Sequence, residues 1–168
     1  MNITELQQHW DEFGKRDPLW AILTRTDAQY GGWDERAFFQ TGETDIASLV
    51  IRLDALGLPL QRRRAMDFGC GVGRLTQALC NYFDECDGVD IAPSMIQLAA
   101  RYNRHGRRCR YHINSADHLR LFEDDRFDLV YSTIVLQHMP PHLAEGYVRE
   151  FMRVVCPDGL VVFEIPME

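Results

Sequence analysis

The stretch Met66–Arg74, read MDFGCGVGR, constrains the fold of this chain more than any other. An apolar run into Phe68 ends in glycines at 69, 71 and 73, and a helical stripe of Leu75, Ala78, Leu79 and Tyr82 follows. Glycines at such a junction let the backbone turn sharply off a strand and bring a ligand close to the start of a helix, where a Cβ would collide. The spacing is GxGxG. A dinucleotide fingerprint would need its third glycine at position 74, which is arginine here.

The rest of the chain supports a strand–turn–helix reading of that loop. Ile46, Leu49, Val50, Leu53 and Leu56 recur at helical spacing from Asp45 onward, with Gly57 and Pro59 as stop signals. Short apolar runs then alternate with helical stripes. Strands are expected at 64–68, 87–91, 110–113, 127–135 and 160–166. Helices are expected after the loop, from Pro93 with Met95, Leu98, Ala99 and Tyr102 inward, and over Leu143–Val154, stopped by Cys156-Pro157-Asp158-Gly159. This alternation predicts an α/β fold, a Rossmann-like, doubly wound, mostly parallel sheet of about five strands. Residues 1–44, with aromatics scattered among charges and a Gly31-Gly32 break, read as a helical N-terminal lid ahead of a core at 45–168.

Ligands of such sheets sit beyond the carboxyl ends of the strands. Asp67 places a carboxylate where it would meet a cationic ligand in preference to a pyrophosphate, which favours an ammonium- or sulfonium-bearing cofactor. Asp90 ends the second strand 21 positions after Gly69, the distance at which one acid takes both ribose hydroxyls. Asp117, in the NSADHL segment after the third strand, is placed to accept from an adenine amino group, with the backbone at Ala116 framing the ring.

Taken together, DFGCGVGR (67–74), GVDIAPSMI (88–96), NSADHL (114–119), FDLVYSTIVLQHM (127–139) and PDGLVVFEIP (157–166) resemble a class I S-adenosylmethionine-dependent methyltransferase of the small-molecule type. The resemblance spans about residues 60–168. It implies S-adenosylmethionine as cofactor, with Gly69 and Gly71 bordering its methionine part, Cys70 and Arg74 also among the cofactor-binding residues, Asp90 at the ribose, Ile91 and Met95 on the adenine face, Ala116 and Asp117 at the adenine edge, and Ser132 near the sulfonium. Such domains continue past a fifth strand into a further helix and an antiparallel pair of strands. Here the sequence stops at Glu168, so a longer chain or a second subunit is expected to cover that edge.

Methyl transfer from a sulfonium is an in-line displacement with a good leaving group in place, so alignment and exclusion of water carry most of the catalysis. For a hydroxyl acceptor a general base helps, and His138 in LQHMPP follows the fourth strand at the right place. Gln137, Tyr30, Trp33, Phe38 and Phe39 are the candidates for acceptor contacts. Two alternatives stay open on residues alone: a cofactor-binding module without turnover, and a nicotinamide-dependent oxidoreductase.

Charge and cysteine usage narrow the partners. A net charge of −7 and the lack of an NPPY-like or Pro-Cys motif disfavour nucleic acid as the acceptor. Arg101–Arg110 carries five arginines, read as a solvated helix end. Five cysteines without a CxxC pair predict free, mostly buried thiols and no metal site. No apolar stretch reaches the roughly 20 residues that span a bilayer, and the N-terminus lacks a signal-peptide pattern, so a cytoplasmic enzyme is expected.

Overall fold

A computed structural model describes residues 2–165. Its five strands are β1 (Arg64–Phe68), β2 (Glu85–Asp90), β3 (Cys109–Ile113), β4 (Phe127–Ser132) and β5 (Val155–Phe163). They form one parallel sheet in the order β3-β2-β1-β4-β5. The helices are α1 (Ile3–Arg16), α2 (Pro18–Ile22), α3 (Glu35–Ala55), α4 (Arg74–Leu79), α5 (Pro93–Tyr102) and α6 (Pro141–Val154).

Alternation along the central strands builds a core on each face. Ala65, Leu129 and Tyr131 pack with Ile46, Leu49, Val50 and Leu53 of α3 and Leu75, Ala78 and Leu79 of α4. Met66, Phe68 and Val130 pack with Tyr147, Phe151 and Val154 of α6. A third cluster joins Trp33, Phe38 and Phe39 to Val72, Ala92 and Met95, with Trp10, Trp20 and Ile22 against it. The chain reverses direction across the sheet between β1 and β4, so the crevice beyond their carboxyl ends is the place such a sheet offers a ligand.

Several boundaries differ from the sequence reading. The long helix begins at Glu35, capped by the Asp34 carboxylate on the Ala37 N–H at 2.8 Å, so residues 35–44 belong to the same helix as the core's first stripe. Strand β4 ends at Ser132, and 136–138 form a separate 3₁₀ turn. Strand β5 starts at Val155, straight out of α6, running through Pro157 and Gly159, which look like a stop in sequence. A register shift against Phe127–Leu129 absorbs the irregularity, and an edge strand tolerates a proline that donates no hydrogen bond. Its expected end at Pro166 lies outside the described residues. All five cysteines are free, and all but Cys156 are buried.

Candidate functional site

The glycine loop leaves β1 with Gly69, Gly71 and Gly73 at φ 80, 52 and 82°. At Gly69 the need is doubled: the left-handed backbone excludes other residues at low cost, and a Cβ would collide with the Val135 side chain across the cleft. The loop is tied to β2 twice. The Gly69 and Cys70 N–H groups donate to the Val89 carbonyl at 2.7 and 3.0 Å, and the Gly71 N–H donates to Asp90 Oδ2 at 2.8 Å. The other oxygen, Oδ1, accepts from the Ala92 N–H at 2.8 Å. Burial raises the Asp90 pKa and these backbone donors oppose the rise.

Around the loop lies an open cleft with a cavity volume of about 120 Å³. Its floor is Phe68, Gly69, Cys70, Gly71, Arg74 and Asp90, and Val89, Ile91 and Met95 make one apolar wall. Asn114 and Tyr147 close the far end, where the Tyr147 hydroxyl donates to the Ala116 carbonyl at 2.6 Å and Asn114 Nδ2 to the same carbonyl at 3.1 Å. Burial pushes the Tyr147 pKa up to about 12, so it stays a neutral donor.

The N-terminal helices form the roof. Leu6 and Trp10 of α1 and Ala21 and Ile22 of α2 line the cleft. Helix α1 is docked by polar contacts: Gln7 Nε2 donates to the Ile91 carbonyl at 2.9 Å, and Ser94 donates its N–H to Asp11 Oδ1 at 2.8 Å and its hydroxyl to the Asp11 carbonyl at 3.0 Å. Ala92, the N-cap of α5, offers no capping side chain, so Asp11 caps that helix from a distant part of the chain.

At the mouth, His138 stands edge-on to Trp10 with ring centroids 5.3 Å apart, and Gln137 Nε2 lies 3.3 Å from His138 Nε2. Ile134, 44% exposed, holds φ 58°, a strained conformation for a β-branched residue and one that clusters at functional sites.

Of the residues singled out from sequence, Gly69, Cys70, Gly71, Arg74, Asp90, Ile91, Met95 and His138 line this cleft. The others do not. Asp67 is buried at 2% exposure and turned toward α4, where it accepts from Thr76 Oγ1 at 2.6 Å; it meets no ligand space. Ser132 is buried and donates to the Phe68 carbonyl at 3.1 Å, joining β4 to β1. Asp117 is exposed and Ala116 half-buried, both outside the lining, and Gln137 is exposed beside it. Trp33 and Phe39 are core residues, with Trp33 Nε1 donating to the Leu23 carbonyl at 3.0 Å; Phe38 is fully buried and Tyr30 is 90% exposed.

The lining residues missing from the sequence reading include Leu6, Trp10, Ala21, Ile22, Asn114, Met139 and Tyr147. Leu6, Trp10 and Phe13 fall at i, i+4 and i+7, a stripe that marks one face of α1. Three of the five arginines in that run have structural partners: Arg108 donates to the Cys80, Phe83 and Asp84 carbonyls, Arg110 pairs with Glu85 and Asp87, and Arg104 reaches Glu35. Among the described residues no group of His, Cys, Asp or Glu is arranged to hold a metal ion, and no helix is long and apolar enough to cross a membrane.

Comparison with known proteins converges on this architecture. A family profile described as a methyltransferase domain matches residues 66–163. A malonyl-[acyl-carrier protein] O-methyltransferase of Halorhodospira halophila is 33% identical over 142 residues, covering 82% of this chain and 45% of its own. A chloroplastic tocopherol O-methyltransferase of Arabidopsis thaliana is 31% identical over 105 residues, covering 60% of this chain and 29% of its own. Among solved structures, phosphoethanolamine N-methyltransferase 1 of Haemonchus contortus superposes with a TM-score of 0.73 at 20% identity, covering 96% of this chain and 31% of its own. The chain spans less than half the length of these relatives.

Proposed function

The chain belongs to the class I S-adenosylmethionine-dependent methyltransferases, and on that premise we propose that its cleft binds S-adenosylmethionine and presents the methyl group to the hydroxyl of a small-molecule acceptor. The observation that carries this reading is the Asp90 carboxylate. Two of its roughly four acceptor positions are taken by Gly71 and Ala92, and the remainder suit a ribose diol. The residues present fit the cofactor: Gly69 and Gly71 bring backbone without side chains to the floor, Val89, Ile91 and Met95 suit a flat base, and Asn114 and Tyr147 supply polar groups at its edge.

When bound, the cofactor supplies a methyl group activated on a sulfonium. The chain's part is positioning and dryness. The glycine loop and Asp90 fix the ligand against β1 and β2, while Leu6, Trp10 and Ile22 exclude water from above. His138 at the mouth is the group placed to take the proton of an acceptor hydroxyl, its ring oriented by the edge contact with Trp10. Relatives named as O-methyltransferases support oxygen as the acceptor atom. The mouth residues Ile134 and Met139 suit an apolar acceptor body. We assign residues 3–22 the role of lid, soluble surroundings as the working environment, and neither nucleic acid nor membrane as partner.

The test is transfer of labelled methyl from S-adenosylmethionine to a panel of phenols, aliphatic alcohols, carboxylates and amines. Label on a hydroxyl, with His138→Ala slowing turnover about 100-fold while cofactor affinity stays within twofold, supports the reading. Label on amines alone overturns the choice of oxygen. Tight cofactor binding without transfer to any acceptor supports the module without turnover instead.

A further inference from the structure

Strands β4 and β5 run parallel with Ser132 opposite Phe163, so the next residue on each, Thr133 and Glu164, emerges at the carboxyl edge of the sheet. There the Thr133 hydroxyl donates to Glu164 Oε2, and the Glu164 N–H donates to the Ser132 carbonyl at 3.2 Å. Thr133 lines the cleft, and so do Ile134 and Val135 after it. Ile134 stands at the mouth in its left-handed conformation, and Val135 packs over Gly69. These three residues form a wall on the same side of the cleft as His138 and Met139.

The polarity of that wall is one-sided. Ile134 and Val135 bring no polar side-chain atom. A threonine hydroxyl has one proton, and that of Thr133 is committed to Glu164, so its oxygen turns only lone pairs to a ligand. Glu164 is exposed, and among the described residues its Oε1 accepts no hydrogen bond and no cation pairs with it. Arg74, the arginine of the cleft lining, is already held by Asp45 at 2.6 Å and leaves the Glu164 charge uncompensated.

We propose that Glu164 is a specificity-determining residue: with Thr133 it makes this side of the mouth a wall of lone pairs and negative charge, which admits an acceptor hydroxyl and rejects an acceptor carboxylate. The inference rests on the mouth being the acceptor site. An alcohol or phenol is neutral and can lie against the wall by its own proton before that proton passes to His138. A carboxylate has no proton to donate and adds a like charge, whose repulsion grows as the cleft loses water.

The experiment is titration calorimetry of the chain saturated with S-adenosylhomocysteine, using octan-1-ol and octanoate, which share an apolar body and differ at the oxygen end. Desolvation alone disfavours octanoate, so the change in a variant decides and not the parent's preference. Glu164→Gln keeps an acceptor for Thr133 and removes the charge. It should tighten octanoate roughly fivefold, the upper end for a charge pair near solvent, and leave octan-1-ol and S-adenosylhomocysteine within about twofold. In the parent, raising salt from about 0.05 to about 0.5 M should narrow the alcohol preference by a similar factor, and the Gln variant should show no such narrowing. The salt series carries the comparison if circular dichroism shows the variant unfolded. Octanoate unchanged by Glu164→Gln, or both probes tightened alike, overturns the proposal, as does a parent preference that salt leaves untouched. A folded chain that takes up S-adenosylhomocysteine yet binds neither probe overturns the reading of the mouth as an acceptor site. One that does not take it up overturns the cofactor reading itself, a result distinct from both.

Discussion

The Gly71 N–H donates to Asp90 Oδ2 at 2.8 Å, so the acid at the end of β2 holds the tip of the glycine loop that leaves β1. The same carboxylate is the expected ribose acceptor, which couples loop order to ligand binding. Asp90→Ala should therefore weaken S-adenosylhomocysteine about 1,000-fold, the worth of two charge-assisted hydrogen bonds at about 2 kcal/mol each. Asp90→Asn, which keeps one acceptor oxygen, should lose less. Equal affinity in the parent and Ala chains would falsify the ribose assignment.

Asp67 predicts a pH dependence of stability. Burial raises its pKa from 3.8 to about 6, against the opposing bond from Thr76. Between pH 4 and 6 the native state keeps a proton that the unfolded chain has released, so this group's contribution falls as pH rises through that window and is flat above it. Asp67→Asn keeps an acceptor for Thr76 and removes the charge. Its stability gain over the parent should grow from near zero at pH 4 to roughly 2–3 kcal/mol at pH 7, read from urea midpoints. A gain that does not vary with pH contradicts this account.

The sheet was legible because its signals are local: apolar runs of strand length, glycine stops and helical stripes sit in contiguous sequence, and β1 falls at the expected residues. The lower half of the site, Gly69 to Asp90, was legible for the same reason. Asp67 misled because a strand end alternates its side chains: its neighbour Phe68 lines the cleft, and Asp67 faces α4 on the opposite side. A lid over 1–44 was expected, but its docking was illegible because Asp11 and Ser94, 83 positions apart, meet only in three dimensions. Trp33 and Phe39 look alike in sequence to a pocket-lining aromatic such as Trp10; only packing separates them.

The cap that Asp11 supplies to α5 predicts a link between lid and stability. Asp11→Ala should cost about 1 kcal/mol, the usual worth of a helix N-cap. Hydrogen exchange should speed up across residues 3–22 and at Ser94, while β1 and β4 keep their protection. The bond to Lys15 lowers the Asp11 pKa, burial opposes it and the Ser94 bonds lower it further; the net lowering means this contribution is present above the ordinary carboxylate pKa and is lost as pH falls below it.

Ile134 predicts a trade of strain for function. Its φ of 58° costs a β-branched residue about 1–2 kcal/mol, and asparagine adopts that region readily. Ile134→Asn should raise the urea midpoint, by roughly 0.5–1 kcal/mol in stability, and weaken use of apolar acceptors. A lowered midpoint would show that the position is not strained.

The most direct measurement is calorimetric titration of the folded chain with S-adenosylhomocysteine and, in parallel, with NAD. One site that saturates with S-adenosylhomocysteine, with no heat from NAD, is the predicted result. Saturable binding of NAD, or a folded chain indifferent to S-adenosylhomocysteine, would contradict the assignment of the cleft.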